Sequence, residues 1–328
     1  MDGNKEYKRL NGVKIDEKDL KERLFDIENI VVHHKRFTDL YDMIRDCHHL
    51  NDRLVILGDT GAGKSTLFKT YELAYPRQKK TRIRNGHTIR YESVPVLRVE
   101  LAANSSPLNV ASKMLESLGE PFYNKGSEKV LTGMLKHQME DSEVGVVFID
   151  EAQHIVASDT QKVIYKAADW IKQFDNDVKI PIVFGGIKEK AKRIFAANEQ
   201  LDERFPNKQE FNVFPYSNPD EQKEFRGYLK GIEAKLPFAD RSSSKIFDPY
   251  LAGKIYYASL GTPRTIYHLL RHASSKALKD GSDMLEEKHL FEGFDLLSFV
   301  TRPKVINPFD EKVFNLNVAM EKENLKKP

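Results

Sequence analysis

One cysteine, one tryptophan and no long apolar run limit what this chain of 328 residues is able to be. Cys47 alone cannot form an internal disulfide, so the core must hold without covalent staples, and this cysteine usage suits a reducing compartment. No apolar stretch approaches the roughly 20 residues needed to cross a bilayer. The segment from Met1 to Glu22 is rich in Lys, Asp and Glu and has nothing of a secretory leader. An excess of one charge is also missing: 52 Lys and Arg stand against 49 Asp and Glu, a formal net charge of +3, so any basic surface must be local. The pairs His33-His34 and His48-His49 lack the helical spacing that converges on a metal, and they read as surface or capping residues. The expectation is a soluble cytoplasmic protein of about two domains, with no membrane partner.

What the chain does contain is Gly58-Asp59-Thr60-Gly61-Ala62-Gly63-Lys64-Ser65, the pattern G-x-x-x-x-G-K-S, directly after the apolar run Leu54-Val55-Ile56-Leu57. Glycines at this spacing let a loop curl until successive backbone N–H groups converge on a polyphosphate. Lys64 adds a mobile positive charge, and Ser65 offers a hydroxyl to Mg²⁺. A helix from Ser65 to about Tyr75, with Thr66 in its first turn, points its positive end at the same anion. The loop from Gly58 to Thr66 is therefore read as the binding site for ATP.

A second apolar run, Val144-Gly145-Val146-Val147-Phe148-Ile149, ends in Asp150-Glu151. It reads as a buried parallel strand whose C-terminal acids face the ligand crevice. Asp150 is expected to hold Mg²⁺ and Glu151 to orient the water that attacks the γ-phosphate, so phosphoryl hydrolysis is the leading chemistry.

The rest of the chain alternates. Residues 1–30 look like a polar arm, and a helix is expected from about Phe37 to Cys47. Strands are expected at 54–57, 94–101, 144–149 and 180–184, and helices at 65–75, 108–118, 130–139 and 161–174. Such alternation means a parallel sheet with helices on both faces, an α/β domain over 31–216. After Pro215-Tyr216-Ser217-Asn218-Pro219 strand signals stop, and helical patterns fill 217–300. Residues 301–328, ending Leu325-Lys326-Lys327-Pro328, read as a polar tail.

Between the first core helix and the second strand, residues 77–91 carry six Lys or Arg and no acid. Asn85-Gly86 flanked by alternating residues signals a hairpin over about 77–93. Lys79, Lys80, Arg82 and Arg84 are the residues expected to track the phosphates of duplex DNA without reading sequence. The competing reading is a solvated, charge-protected edge.

A phosphate-loop α/β domain followed by a small helical lid domain resembles the AAA+ P-loop ATPases. That resemblance implies a role for Arg264, in Gly261-Thr262-Pro263-Arg264 at the start of a lid helix, as the arginine that returns to the nucleotide. It also implies that Arg204, in Gln200-Leu201-Asp202-Glu203-Arg204-Phe205, or else Arg193, reaches the ATP of a neighbouring subunit, so that active sites are completed only in a homo-oligomer. One position departs from the family pattern: Gly185-Gly186 stands where many members carry a small polar side chain that helps hold the attacking water, which puts slow or partner-stimulated turnover in view.

Finer features narrow the resemblance. Pro95-Val96-Leu97-Arg98-Val99-Glu100, Ser106-Pro107, and Asp150-Glu151-Ala152-Gln153-His154 are similar to the TniB and TnsC group of transposition ATPases, related to MuB. The resemblance implies an ATP-dependent regulator that forms rings or filaments on double-stranded DNA. Such a regulator links a target-selection protein to transposase subunits, here with CRISPR-guided targeting in view. The alternatives are an initiator or loader of replication and a nucleotide-locked scaffold whose ATPase is vestigial.

Overall fold

The computed structural model describes residues 5–155, 160–196, 198–310 and 314–325. In chain order the elements are α1 (Glu17–Glu28), α2 (Lys35–Leu50), β1 (Arg53–Leu57), α3 (Lys64–Ala74), β2 (Gln78–Arg84), β3 (His87–Ser93), β4 (Val96–Glu100), α4 (Pro107–Ser117), α5 (Glu128–Asp141), β5 (Val146–Asp150), α6 (Gln161–Val178), β6 (Ile182–Gly186), α7 (Lys188–Ala196), α8 (Glu199–Arg204), β7 (Asn207–Glu210), α9 (Pro219–Glu233), α10 (Pro249–Ser259), α11 (Pro263–Lys279), α12 (Glu287–Asp295) and α13 (Leu316–Lys322). They divide into two compact units, Arg36–Asn212 and a second built from Met1–Lys35 with Val213–Pro328.

The α/β unit is organised by a five-stranded sheet in the order β4-β5-β6-β1-β7, with every pairing parallel. Its central strands are apolar because both faces are covered: Val55, Ile56, Val146, Val147, Phe148, Ile149, Ile182 and Val183 are fully buried. The strands lie within two residues of the expected positions, and β7 was not expected. Asn207-Lys208-Gln209-Glu210 has no apolar residue to announce a strand, but at the sheet's edge it needs only the backbone ladder of β1. Two helices, α7 and α8, lead to Arg204, the second capped by the Asn198 side chain on the Leu201 amide. Trp170 and Phe174 stack with ring centroids 5.2 Å apart inside the core, as packing residues.

The helical unit absorbs both ends of the chain. Instead of a free polar arm, residues before 30 include α1, which packs along α11 through Ile27. Arg23 is buried: its guanidinium pairs with Asp19 at 2.9 Å and donates to the carbonyls of Lys8 and Pro237. Asp283 accepts from the Leu10 and Asn11 amides at 2.6 and 3.1 Å, which stitches the segment before α1 to the turn before α12. A polar composition hid this because the apolar stripe, Leu20, Leu24 and Ile27, is short and shares its face with Arg23, whose burial is satisfied by Asp19 and backbone carbonyls. The expected tail is likewise packed. Phe309, Ala319 and Met320 are buried, and Glu323 binds Arg302 at 2.9 Å and the Tyr257 hydroxyl. Residues 311–313 and 326–328 of that expected tail lie outside the described residues.

Candidate functional site

The glycine-rich loop follows β1 and is shaped by atoms it lacks. Gly61 and Gly63 take φ of 80° and 110°, left-handed values that L side chains rarely adopt, and so curl the chain into a nest of amides before α3. Gly58 is required for a different reason: a Cβ there would lie 1.9 Å from the Phe211 carbonyl oxygen, on the segment just after β7. That segment is pinned by the Phe211 amide donating to the Leu57 carbonyl at 2.7 Å. Lys64, the first residue of α3, is buried, and its Nζ donates to the carbonyls of Gly58 and Asp59, each at 2.9 Å. The ammonium thus lies inside the curl of its own loop. Asp59, Thr60, Ala62, Ser65 and Thr66 complete the loop and the first turn of the helix.

Asp150 ends β5 and is fully buried. Its Oδ1 accepts from the Glu151 amide at 2.9 Å, and its Oδ2 has no hydrogen-bond partner among the described residues. Burial pushes this carboxyl above the usual aspartate range, and the Ser65 hydroxyl and the Glu151 amide pull it part of the way back. An orphaned carboxylate oxygen inside a protein is costly. With the Ser65 hydroxyl beside it, the donor set is all oxygen, which suits a hard cation such as Mg²⁺. Glu151 adopts a left-handed backbone, φ 56°, and its carboxylate accepts from the Gln153 side-chain amide.

The end of β6 explains the two glycines. A Cβ at Gly185 would lie 2.4 Å from the Phe68 ring and 3.2 Å from Asp150 Oδ1, and one at Gly186 would lie 2.9 Å from Gln153 Oε1. Gln153 is the residue whose place in the site the sequence did not disclose. Its signal was present in the run Asp150 to His154, but its partner, the Ile187 amide at 3.0 Å, is remote in sequence.

The structure therefore brings Lys64, Ser65, Asp150 and Glu151 together at the C-terminal ends of β1 and β5. It does not bring Arg204 there. Arg204 closes α8, where its Nη1 lies 3.1 Å from Asp175 Oδ2 and 2.6 Å from Asn176 Oδ1. Asp175 is buried and gives its other oxygen to Arg53 Nε at 2.7 Å. Arg53 opens β1, so with a rise of about 3.3 Å per residue this cluster sits roughly 15 Å from the loop that follows the strand. Arg193 is exposed on α7, and Arg264 is exposed in the first turn of α11 in the helical unit.

The basic hairpin forms as expected, β2 and β3 joined by Asn85-Gly86 with φ of 53° and 75°, a type I′ turn. Its charges are disposed otherwise than expected. Lys80, Arg82 and Arg84 share the face turned toward the end of α5. There Lys80 pairs with Glu143 at 2.7 Å and Arg82 with Asp141 at 2.6 Å, while Arg84 lies 3.4 Å from the same aspartate. Tyr91 donates to Glu143 at 2.6 Å and lies under the Arg82 guanidinium, which is 4.6 Å from the ring centroid. Of the four nominated cations only Lys79 is on the opposite face, exposed with Thr81, Ile83, Thr88 and Arg90 and directly across from Glu92, which pairs with Arg77 at 3.1 Å. Among the described residues, no helix is long and apolar enough to cross a membrane.

A parallel sheet in this order, with a glycine-rich loop after the interior strand β1 and acids closing β5, is the fold of AAA+ P-loop proteins. The family model described as bacterial TniB protein matches residues 21–214, more than half of the chain, and the chain belongs to that family. Among solved structures, the ORC2 protein of Aeropyrum pernix in its ADPNP-ADP complexes is similar with a TM-score of 0.56 at 15% identity, over 87% of this chain and 74% of that one. The ADP form of the same protein gives 0.55 at 15% identity, over 87% and 73%. At that identity the likeness shows the fold alone. A comparison with curated proteins finds no match.

Proposed function

We propose that this chain is an ATP-hydrolysing, DNA-binding regulator of transposition that assembles as a homo-oligomer on duplex DNA. The observation that carries the hydrolytic part is Asp150 Oδ2, buried beside the curled loop and Ser65 and without a hydrogen-bond partner among the described residues. Bound MgATP supplies an activated phosphoanhydride whose γ-phosphoryl group is open to attack by water. The loop amides and Lys64 hold the phosphates, Ser65 and Asp150 hold the metal, and Glu151 orients the water.

Family membership and the hairpin support the DNA-binding part. Lys79 and Arg90 present cations on an exposed strand face beside Thr81, with Glu92, across from Lys79, neutralised by Arg77, a surface suited to phosphates and indifferent to base sequence. The assembly part is supported by the position of Arg204. Held on Asp175 beside the start of β1, it lies too far from its own loop to serve it, so a role at a nucleotide would be at another subunit's and would require leaving Asp175. Arg264 is assigned to the nucleotide from the lid, and transposase subunits and a target-selection protein are the partners. A nucleotide-locked scaffold is the second reading, favoured by the two glycines that end β6.

Changing Glu151→Gln separates the readings. The variant should bind ATP normally, lose about 100-fold or more in turnover and stay on DNA in the presence of ATP, as followed by fluorescence anisotropy. Unchanged release from DNA would leave the scaffold.

A further inference from the structure

The end of β6 carries no side chain able to hold water, yet the space beside it is filled. Gln153 Oε1 lies where a side chain at residue 186 would begin, 2.9 Å from a Cβ built there. Gln153 is buried in the short 3-10 turn Ala152–Ile155 that leaves β5. Its two ends have different partners of opposite character. Oε1 accepts from the Ile187 amide at 3.0 Å, and Nε2 donates to Glu151 Oε2. An N–H on one side and a carboxylate on the other leave the carboxamide a single orientation, since the flipped amide would set donor against donor and acceptor against acceptor. The main chain of Glu151 is fixed as well: its amide donates to Asp150 Oδ1 at 2.9 Å, and its carbonyl accepts from the His154 amide at 2.9 Å.

We propose that Gln153 is a positioning residue for ATP hydrolysis: a bridge from the end of β6 to Glu151 that aims the carboxylate and stands in for the polar side chain β6 lacks. The inference rests on the reading of Glu151 as the residue that orients water. The glycines and the glutamine form one unit in this account. Gly186 leaves room for the carboxamide, and the carboxamide returns to the strand end the polar contact that Gly186 cannot make. Loss of the bridge leaves phosphate and metal binding intact, because Lys64, Ser65 and Asp150 do not depend on it.

The test uses the full chain with duplex DNA and four readouts: steady-state ATPase, affinity for a fluorescent ATP analogue, thermal melting, and hydrogen exchange of peptides covering Ile187. Gln153→Glu keeps an acceptor for the Ile187 amide but sets a like charge against Glu151. It should lower kcat about tenfold or more, with KM, analogue affinity and Ile187 exchange unchanged. Gln153→Ala should lower kcat to a similar extent and speed Ile187 exchange as well, because the amide loses its acceptor. Gly186→Ser alone should also impair turnover, since its side chain meets Gln153 Oε1. The double variant Gln153→Ala with Gly186→Ser should recover part of kcat, because a hydroxyl then occupies the freed space. If Glu151→Gln abolishes turnover while both Gln153 variants keep wild-type kcat, the bridge plays no part and the inference falls. The same holds if kcat, analogue affinity and melting temperature decline together in both variants, which marks a structural role. If Glu151→Gln itself leaves turnover unchanged, the reading beneath the inference fails instead.

Discussion

The glycine-rich loop and the basic hairpin are both anion-seeking segments of the α/β unit, and they are built in opposite ways. In the loop the shape comes from atoms that are missing: left-handed turns at Gly61 and Gly63, and a close approach at Gly58 that leaves no room for a methyl group. Its chemistry is mostly backbone, so a short string of residues fixes it. In the hairpin the shape is ordinary strand and turn, and the chemistry belongs to side chains. Those side chains find partners far along the chain, Arg82 at Asp141 and Lys80 at Glu143. A count of cations therefore overstated what the hairpin offers to a ligand, because the face that carries three of them is already occupied.

If the loop is locked by its backbone, Gly58→Ala should be the most damaging change. The methyl group must displace the Phe211 carbonyl, at a cost of about 3 kcal/mol, seen as a clear fall in melting temperature. Tolerance of alanine would mean that the close approach is soft and the comparison misplaced. Lys64→Ala comes next: it should leave the fold standing and weaken ATP binding about 100-fold in calorimetric titration.

On the hairpin the expected effects are smaller and depend on the face. The double change Lys79→Ala with Arg90→Ala should weaken duplex binding about tenfold at low salt and reduce the log–log salt slope by about 2, whereas Arg84→Ala should change both much less. Equal losses on the two faces would erase the distinction. The smallest effect is expected from neutralising the partners. Asp141→Asn with Glu143→Gln should raise DNA affinity about threefold by freeing Lys80, Arg82 and Arg84.

The same pairing has a pH signature. Hydrogen bonds from Lys80, then Tyr91, hold the Glu143 carboxyl down from its ordinary 4.5 to about 2. Its contribution to docking the hairpin is therefore fully present above pH 4.5 and is lost as the pH falls toward 2. Titration of the Glu143 carboxyl carbon by NMR checks this, and a midpoint near the ordinary value would contradict the pairing.

How much of this was legible in the sequence follows the same division. The loop, the four apolar strands, Asp150-Glu151 and the Asn85-Gly86 turn were legible because each is set by its immediate neighbours. β7 was not, since an edge strand of polar residues is defined by the β1 ladder beside it. The described parts of residues 1–30 and 301–328 look polar and are packed, because Arg23 is buried and Arg302 and Glu323 are largely covered through hydrogen bonds and ion pairs that composition does not reveal. The glycines ending β6 read as a deficiency until Gln153 was seen to fill the space beside them. Arg204 was legible only through the family resemblance, and its attachment to Asp175 and its distance from the loop are properties of the fold.

The most direct test of the central claim, that nucleotide in the Gly58–Ser65 loop governs assembly on DNA, is electron microscopy of the purified protein. It would be imaged with duplex DNA in ATP, in ADP and in a slowly hydrolysed ATP analogue, beside Lys64→Ala. Ordered rings or filaments enclosing DNA with the triphosphates alone, and absent for Lys64→Ala, are the predicted result. An ATP-bound monomer indifferent to DNA would contradict it.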